Sequence, residues 1–415
     1  MKRLVVVALV SAFVLTLLVT AYHQCIRLDE AEIIHKVEEI RGLELLHEVP
    51  YEFMSPEEIG KQTSNLDNRS ELMLKALFMA DENESIKEVS VEHKAEHVVA
   101  YYDPWNKVFV ISEKRASLLR KILPHEYVHV LQDQHFDLTR LLSRRTFDEL
   151  MAARALIEGD ACITTDLYEG REPSVEAAAF GSSSSESLLE RTLDAFMEFP
   201  YVEGKIFVSR LYEEGGWDAV NAAFLDPPTT TEQIIHPNKY FSREPRKNVT
   251  NAELPLGEGW TLSSDVLGEF FIRTMLELHI DEDAARQAAA GWGGDSFDFY
   301  TNASSYLFVL NISWDSIADR DEFFTAYNKM LASIGGELLL NSSKVATWVV
   351  KDKYVWICKF GENTLILSSP CLDLLDAYLN VAGLYEEHAV QGEDIYIASM
   401  KTHTRLAQRG SYAAN

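Results

Sequence analysis

Apolar residues recur at two different spacings along the chain, and the change between them divides it. From residue 26 to about 290 the spacing is mostly helical. Ile33, Ile34, Val37, Ile40 and Leu43 fall on one face of a helix predicted over 26–48. Ser55-Pro56-Glu57-Glu58 reads as a helix start: a capping serine, a proline in the first turn and acids beside the positive end of the dipole. Further helices are predicted over 70–79, 113–135, 146–168, 187–199, 204–214, 263–278 and 282–290. One interruption has the period of strands. Residues 97–102 and 107–112 form a predicted hairpin around Asp103-Pro104-Trp105-Asn106. Residues 170–187, with four consecutive serines, read as a loop, and 238–260, rich in Pro, Asn and Glu, as a linker.

Past Gly291-Trp292-Gly293-Gly294-Asp295, a predicted turn, strands alternate with helices. Strands are expected over 305–314, 344–350, 354–359 and 364–368, and helices over 320–334 and 371–379. The expected fold class is therefore α+β. A mainly helical domain over 25–290 has a small sheet ahead of its central helix. A second α+β domain over 291–415 is built on an antiparallel sheet.

The first 24 residues stand apart. Met1-Lys2-Arg3 precedes an apolar run reaching Tyr22, which reads as a signal peptide or an N-terminal membrane anchor. Either would keep Lys2 and Arg3 in the cytoplasm and export the rest, making the protein secreted or membrane-anchored outside the cytoplasm. Cys25 reads as unmodified. Sequons at Asn68, Asn83, Asn248, Asn302, Asn311 and Asn341 are compatible with export. Four cysteines in 415 residues make no disulfide framework; Cys358 and Cys371 are either one bridge or two buried thiols. A net charge of −27 argues against nucleic acid as a partner, since both are anionic.

Candidate chemistry lies in Pro124-His125-Glu126-Tyr127-Val128-His129-Val130-Leu131-Gln132-Asp133-Gln134. On a helix, His125 and His129 lie one turn apart on one face and can aim two imidazoles at one ion. Glu126 is turned by about 100° from His125, so it cannot share the ligand position but can reach a water on the metal. The helix is apolar around them, and burying two histidines and a glutamate is costly unless something satisfies them. Two residues compete as the third ligand. His135 would sit about 9 Å along an unbroken helix beyond His129, too far to share the ion, and reads as a surface or supporting histidine. Glu158 lies in the helix over 146–168, with Ala155, Ala161 and Cys162 at i±3 and i±4 and Gly159 adjacent. Those small residues would let this helix approach the first. Two histidines, a glutamate and an open position form a catalytic zinc set.

On His125, Glu126, His129 and Glu158 the chain resembles the gluzincin branch of the zincin metallopeptidases. It is most similar to exported archaeal and bacterial proteins of predicted peptidase type that carry H-E-x-x-H-x-L-Q-D-Q and E-G-D-A segments, over about residues 95–240. The resemblance implies a Zn2+ cofactor and a peptide or protein substrate laid against the strand before the active-site helix. Glu126 would be the general base. Gluzincins often place an aspartate four residues after the glutamate ligand; here that residue is Cys162. Asp133 either supports an imidazole in its place or is a solvated carboxylate. Such enzymes also stabilise the oxyanion with a later histidine or tyrosine; His236 is the residue expected in that part, with Tyr240 as the other candidate. Two other readings stay open: a non-catalytic surface protein with a structural metal or none, and a zinc hydrolase acting on non-peptide amides or esters.

Overall fold

The computed structural model describes residues 30–63, 68–114, 119–172 and 187–384. The apolar leader, Cys25 and the serine run lie outside the described residues. Among the described residues no helix is long and apolar enough to cross a membrane.

The N-terminal half opens with helix α1, residues 30–41. It continues through β1 (Tyr51–Met54), α2 (Pro56–Thr63), α3 (Asn68–Ala76), α4 (Ile86–His97) and the hairpin β2 (Ala100–Asp103) and β3 (Val108–Ser112). Helix α4 was not anticipated: residue 97, expected to open a strand, ends a helix instead. The strands form a three-stranded sheet ordered β1-β3-β2, β1 parallel and β2 antiparallel to β3.

Five helices follow: α5 (Leu119–Phe136), α6 (Leu138–Leu142), α7 (Phe147–Tyr168), α8 (Leu188–Leu225) and α9 (Thr231–Ile235), with α10 (Pro237–Phe241) closing the series. The two helices expected over 187–214 are one element. α8 runs through Pro200 and past a kink at Gly215 and Gly216, where φ and ψ leave the helical region. A proline removes one ladder bond and bends a helix, but burial of Leu189, Phe199, Phe207 and Leu211 holds this one together.

The C-terminal half comprises β4 (Thr261–Asp265), α11 (Gly268–Glu277), α12 (Glu282–Ala289), β5 (Trp292–Thr301), β6 (Tyr306–Trp314), α13 (Ile317–Ser333), β7 (Glu337–Asn341), β8 (Val345–Val350), β9 (Lys353–Phe360), β10 (Asn363–Ser369) and α14 (Leu372–Val381). The strands make an antiparallel sheet ordered β4-β5-β6-β10-β9-β8-β7. Alternating side chains sort onto two faces. Phe297, Phe299, Phe308, Leu310 and Ile366 meet residues of α11, α12, α13 and Leu74–Ala80. Tyr300, Leu307, Val309, Trp356 and Leu367 meet α14 and Leu254. The fold is thus α+β, with the antiparallel sheet in the C-terminal region.

Two expectations change here. The stretch over 238–260 is not a free linker but a strap over the sheet. Leu254 is buried, Lys247 N–H donates to Gly293 O at 2.6 Å, and Ala252 N–H donates to Tyr378 Oη at 3.2 Å. The sheet's core also reaches back across residue 290, taking in α11, α12 and Leu74–Ala80. Cys358 and Cys371 are free thiols, so no bridge joins them. Asn311 is buried, its Nδ2 donating to Thr250 O at 3.3 Å, which closes that sequon to modification.

Candidate metal centre

Helix α5 lies against the small sheet through Leu123, Tyr127, Val128 and Leu131, which pack with Tyr102, Phe109 and Ile111. That orientation turns His125 and His129 the other way, toward α7. Their rings stand edge to face with centroids 4.9 Å apart. Glu158 of α7 reaches both: Oε2 lies 3.1 Å from His125 Nε2 and 3.3 Å from His129 Nε2. With ligand bonds of about 2.0 Å, neighbouring corners of a tetrahedron are about 3.3 Å apart. The two edges that meet at Glu158 Oε2 therefore match a zinc tetrahedron, and the three donor atoms all lie within 4.8 Å of one another. All three side chains keep a little exposure, 10% to 16%, so the fourth corner can be reached from solvent.

The electrostatics fit a cation. Burial alone would raise the Glu158 carboxyl, but the charges and hydrogen bonds of His129 and His125 outweigh it and hold the group far below the usual carboxylate range. Burial would likewise lower His129; the charge of Glu158 and its hydrogen bond prevail and push the imidazole up to about 9. The cluster thus draws in positive charge, and two imidazoles with a carboxylate form a donor set suited to zinc. Glu126 sits beside them, buried, and that burial pushes its carboxyl above the usual range against the pull of His129 and His125. Its Oε2 accepts the backbone N–H of Tyr102 at 3.0 Å.

The crossing of α7 and α8 fixes where Glu158 stands. A Cβ on Gly159 would lie 2.1 Å from Gly204 O, and one on Gly204 would lie 2.2 Å from Ala155 O. Gly159 and Ala155 therefore serve the approach of α8, whereas Ala161 packs against α5 as the sequence suggested. α8 in turn brings Tyr201 to the site, its ring stacked on His125 at 5.9 Å and 22°. Burial, with the nearby charges of Glu158 and Glu126, pushes its phenol well above its ordinary value, so it stays protonated. Nothing in the sequence marks Tyr201 except its place three residues before the helix-crossing glycine.

The imidazole support also differs from expectation. His129 Nδ1 lies 2.9 Å from Gln132 Oε1. The Gln132 amide nitrogen donates to Asp160 Oδ2 at 2.8 Å and Ile157 O at 3.0 Å. Because both its N–H groups are engaged, Gln132 presents oxygen to His129. Nδ1 must then carry a proton, which makes Nε2 the nitrogen that gives up its proton when a metal binds. Asp133 is committed elsewhere, accepting from Tyr102 Oη at 2.6 Å, Lys107 Nζ at 2.7 Å and Leu138 N at 3.1 Å. It clamps the β2–β3 hairpin to α5 and touches neither ring.

His236 is not brought to this cluster by any described hydrogen bond or ion pair. Its Nε2 pairs with the buried Glu269 Oε1 at 3.0 Å, between α9 and α11. No local pattern could show that a buried carboxylate claims the ring. Tyr240 is likewise used, its hydroxyl donating to Asp226 O at 2.8 Å. His135 is a surface histidine bonded to Glu44 O at 2.8 Å. A second set of convergent acids, Glu232, Glu244 and Asp315, already encloses the Lys239 ammonium at 2.6 to 2.8 Å.

Comparison with known proteins touches the other half of the chain. Residues 255–379 match a family described as a domain of unknown function, DUF8575. The match covers β4 to α14 almost throughout, less than half of the chain, and none of the residues of the centre. No curated protein matches the sequence. No solved structure matches it either.

Proposed function

We propose that the chain is a zinc-dependent peptidase acting outside the cytoplasm. One observation carries the reading: two imidazole nitrogens converge on one carboxylate oxygen at distances that suit neighbouring corners of a zinc tetrahedron, with a buried carboxylate next to them. His125, His129 and Glu158 would hold the ion. Zinc bound there would lower the pKa of a water ligand and polarise a substrate carbonyl.

The remaining work falls to the chain. Glu126 takes the proton of the attacking water and passes it to the leaving amine; its raised carboxyl pKa suits a group that must both accept and release. The Tyr201 phenol, kept protonated, donates to the developing oxyanion, the part first assigned to His236. β3, the strand directly before α5, is paired on both sides, so the expected substrate strand moves to β2, whose outer edge pairs with no strand among the described residues. Ser112 N–H donates to Val99 O, whereas Tyr102 N–H turns to Glu126. Strand alternation then points Ala100 and Tyr102 outward. Backbone pairing at that edge needs no particular substrate side chain and favours a peptide substrate.

The test is Glu126→Gln, with zinc content and cleavage of a peptide library measured together. The expected variant holds zinc as the parent does and has lost nearly all turnover. A variant that cleaves at the parental rate would remove Glu126 from the mechanism.

A further inference from the structure

Arg41, the last residue of α1, is fully buried, and so are Asp160 and Gln132. Its Nε donates to Asp160 Oδ1 at 2.7 Å, while both Nη atoms lack hydrogen-bond partners. The guanidinium carbon lies over the ring of Trp217, 4.4 Å from its centroid, immediately after the α8 kink at Gly215 and Gly216. A buried arginine with two unsatisfied nitrogens is expensive, and an apolar residue would pack the position at less cost. What the fold gains is visible on the other side of Asp160. Its second oxygen takes the Gln132 amide, whose oxygen faces His129 Nδ1.

We infer that Arg41 and Asp160 are positioning residues for the metal centre, acting through Gln132 to fix the His129 tautomer and ring. The inference rests on the zinc reading of His125, His129 and Glu158. The Arg41–Asp160 pair fixes the carboxylate. The carboxylate fixes which end of Gln132 is nitrogen. Gln132 then holds a proton on Nδ1, so that Nε2, which faces Glu158, is the nitrogen an ion would take. A helix more than eighty residues away in sequence thereby presets one ligand before any ion arrives. The remaining Gln132 N–H bond to Ile157 O adds a direct tie to the backbone beside Glu158.

The test measures zinc dissociation constants by chelator competition, and the His129 tautomer by imidazole nitrogen NMR in the zinc-free protein above pH 9, where the ring is neutral. The proteins are the parent, Arg41→Lys, Gln132→Ala and the double variant. A charge-neutral pair, Arg41→Gln with Asp160→Asn, guards against misfolding from an unpaired buried carboxylate. Outer partners of ligating histidines usually contribute about 10- to 100-fold in metal affinity. We expect about tenfold weaker zinc binding in Arg41→Lys and in the neutral pair, with a mixed His129 tautomer. In the Gln132→Ala background, the Arg41 substitution should have no further effect. Unchanged affinity and a pure Nδ1–H tautomer in the folded Arg41 variants would overturn the inference, as would additive losses in the double variant. A parent that binds no zinc at all would instead overturn the zinc reading beneath it.

Discussion

Glu126 has to be a base while sitting where a charge is unwelcome. Burial raises its carboxyl, and the imidazoles and the Tyr102 N–H offset part of that. Tyr201 is the complementary group, a phenol held in its donor form by burial and by two neighbouring carboxylates. Tyr201→Phe should therefore retain zinc and fold, and lose about 10²- to 10³-fold in kcat, the usual effect of removing one oxyanion donor. Steady-state kinetics beside a zinc assay would check it; a kcat within threefold of the parent would return the oxyanion role to another group. At this scale the sequence was informative wherever covalent spacing decides geometry. His125, Glu126 and His129 are set by one helix, and Glu158 by the face of the next. It was uninformative wherever two distant side chains choose each other. Gln132 rather than Asp133 serves His129, Glu269 claims His236, and Tyr201 arrives on a helix whose path no local pattern fixes.

Among the elements, the contact that matters most is α7 against α8. Gly159 and Gly204 let the two backbones meet, and a methyl group at either would strike a carbonyl oxygen. Gly159→Ala should push α8 outward, destabilise the fold by about 1–3 kcal/mol, as overpacking does, and weaken zinc binding because Glu158 is the adjacent residue. Denaturant melts and chelator competition on the same sample would test both effects; a variant equal to the parent in both would mean the helices have slack. Periodicity found α7 to within a residue, because its capping Thr146 and long apolar face are local signals. It split the first part of α8 at Pro200, a local breaker that tertiary packing overrides, but it ended the second helix at residue 214, where Gly215 and Gly216 do leave the helical region. It missed α4, a short helix of low amphipathicity next to a strand.

In the whole molecule, the helical half and the sheet meet at α7, α9 and α11 around Asp148. This aspartate is fully buried, with Oδ1 accepting the N–H and hydroxyl of Thr231 and Oδ2 without a partner. Burial is the main cause that pushes its carboxyl up from 3.8 to about 8, and Asp295 adds to it. The sign follows from linkage. A folded pKa above the unfolded one means the folded state holds the proton longer. Its stabilising contribution is therefore complete below about pH 4 and lost as pH rises to about 8. Asp148→Asn keeps the acceptor oxygen and cannot ionise. Its unfolding free energy should fall less than the parent's between pH 5 and 8, read from urea melts across that range; parallel curves would show that Asp148 is charged in the fold. The helical half and the antiparallel sheet could both be foreseen from the change in period near residue 297. The strap over 242–260 and the core reaching back to Leu74 could not, since both depend on how the halves dock.

The account stands on a single centre built from His125, His129 and Glu158. Its most direct test is the zinc content of the purified parent and of Glu158→Ala, each after dialysis against trace chelator. The parent should retain about one zinc per chain, as a His2Glu site implies, and the variant should retain almost none. A parent without zinc, or a variant that keeps it, would contradict the account.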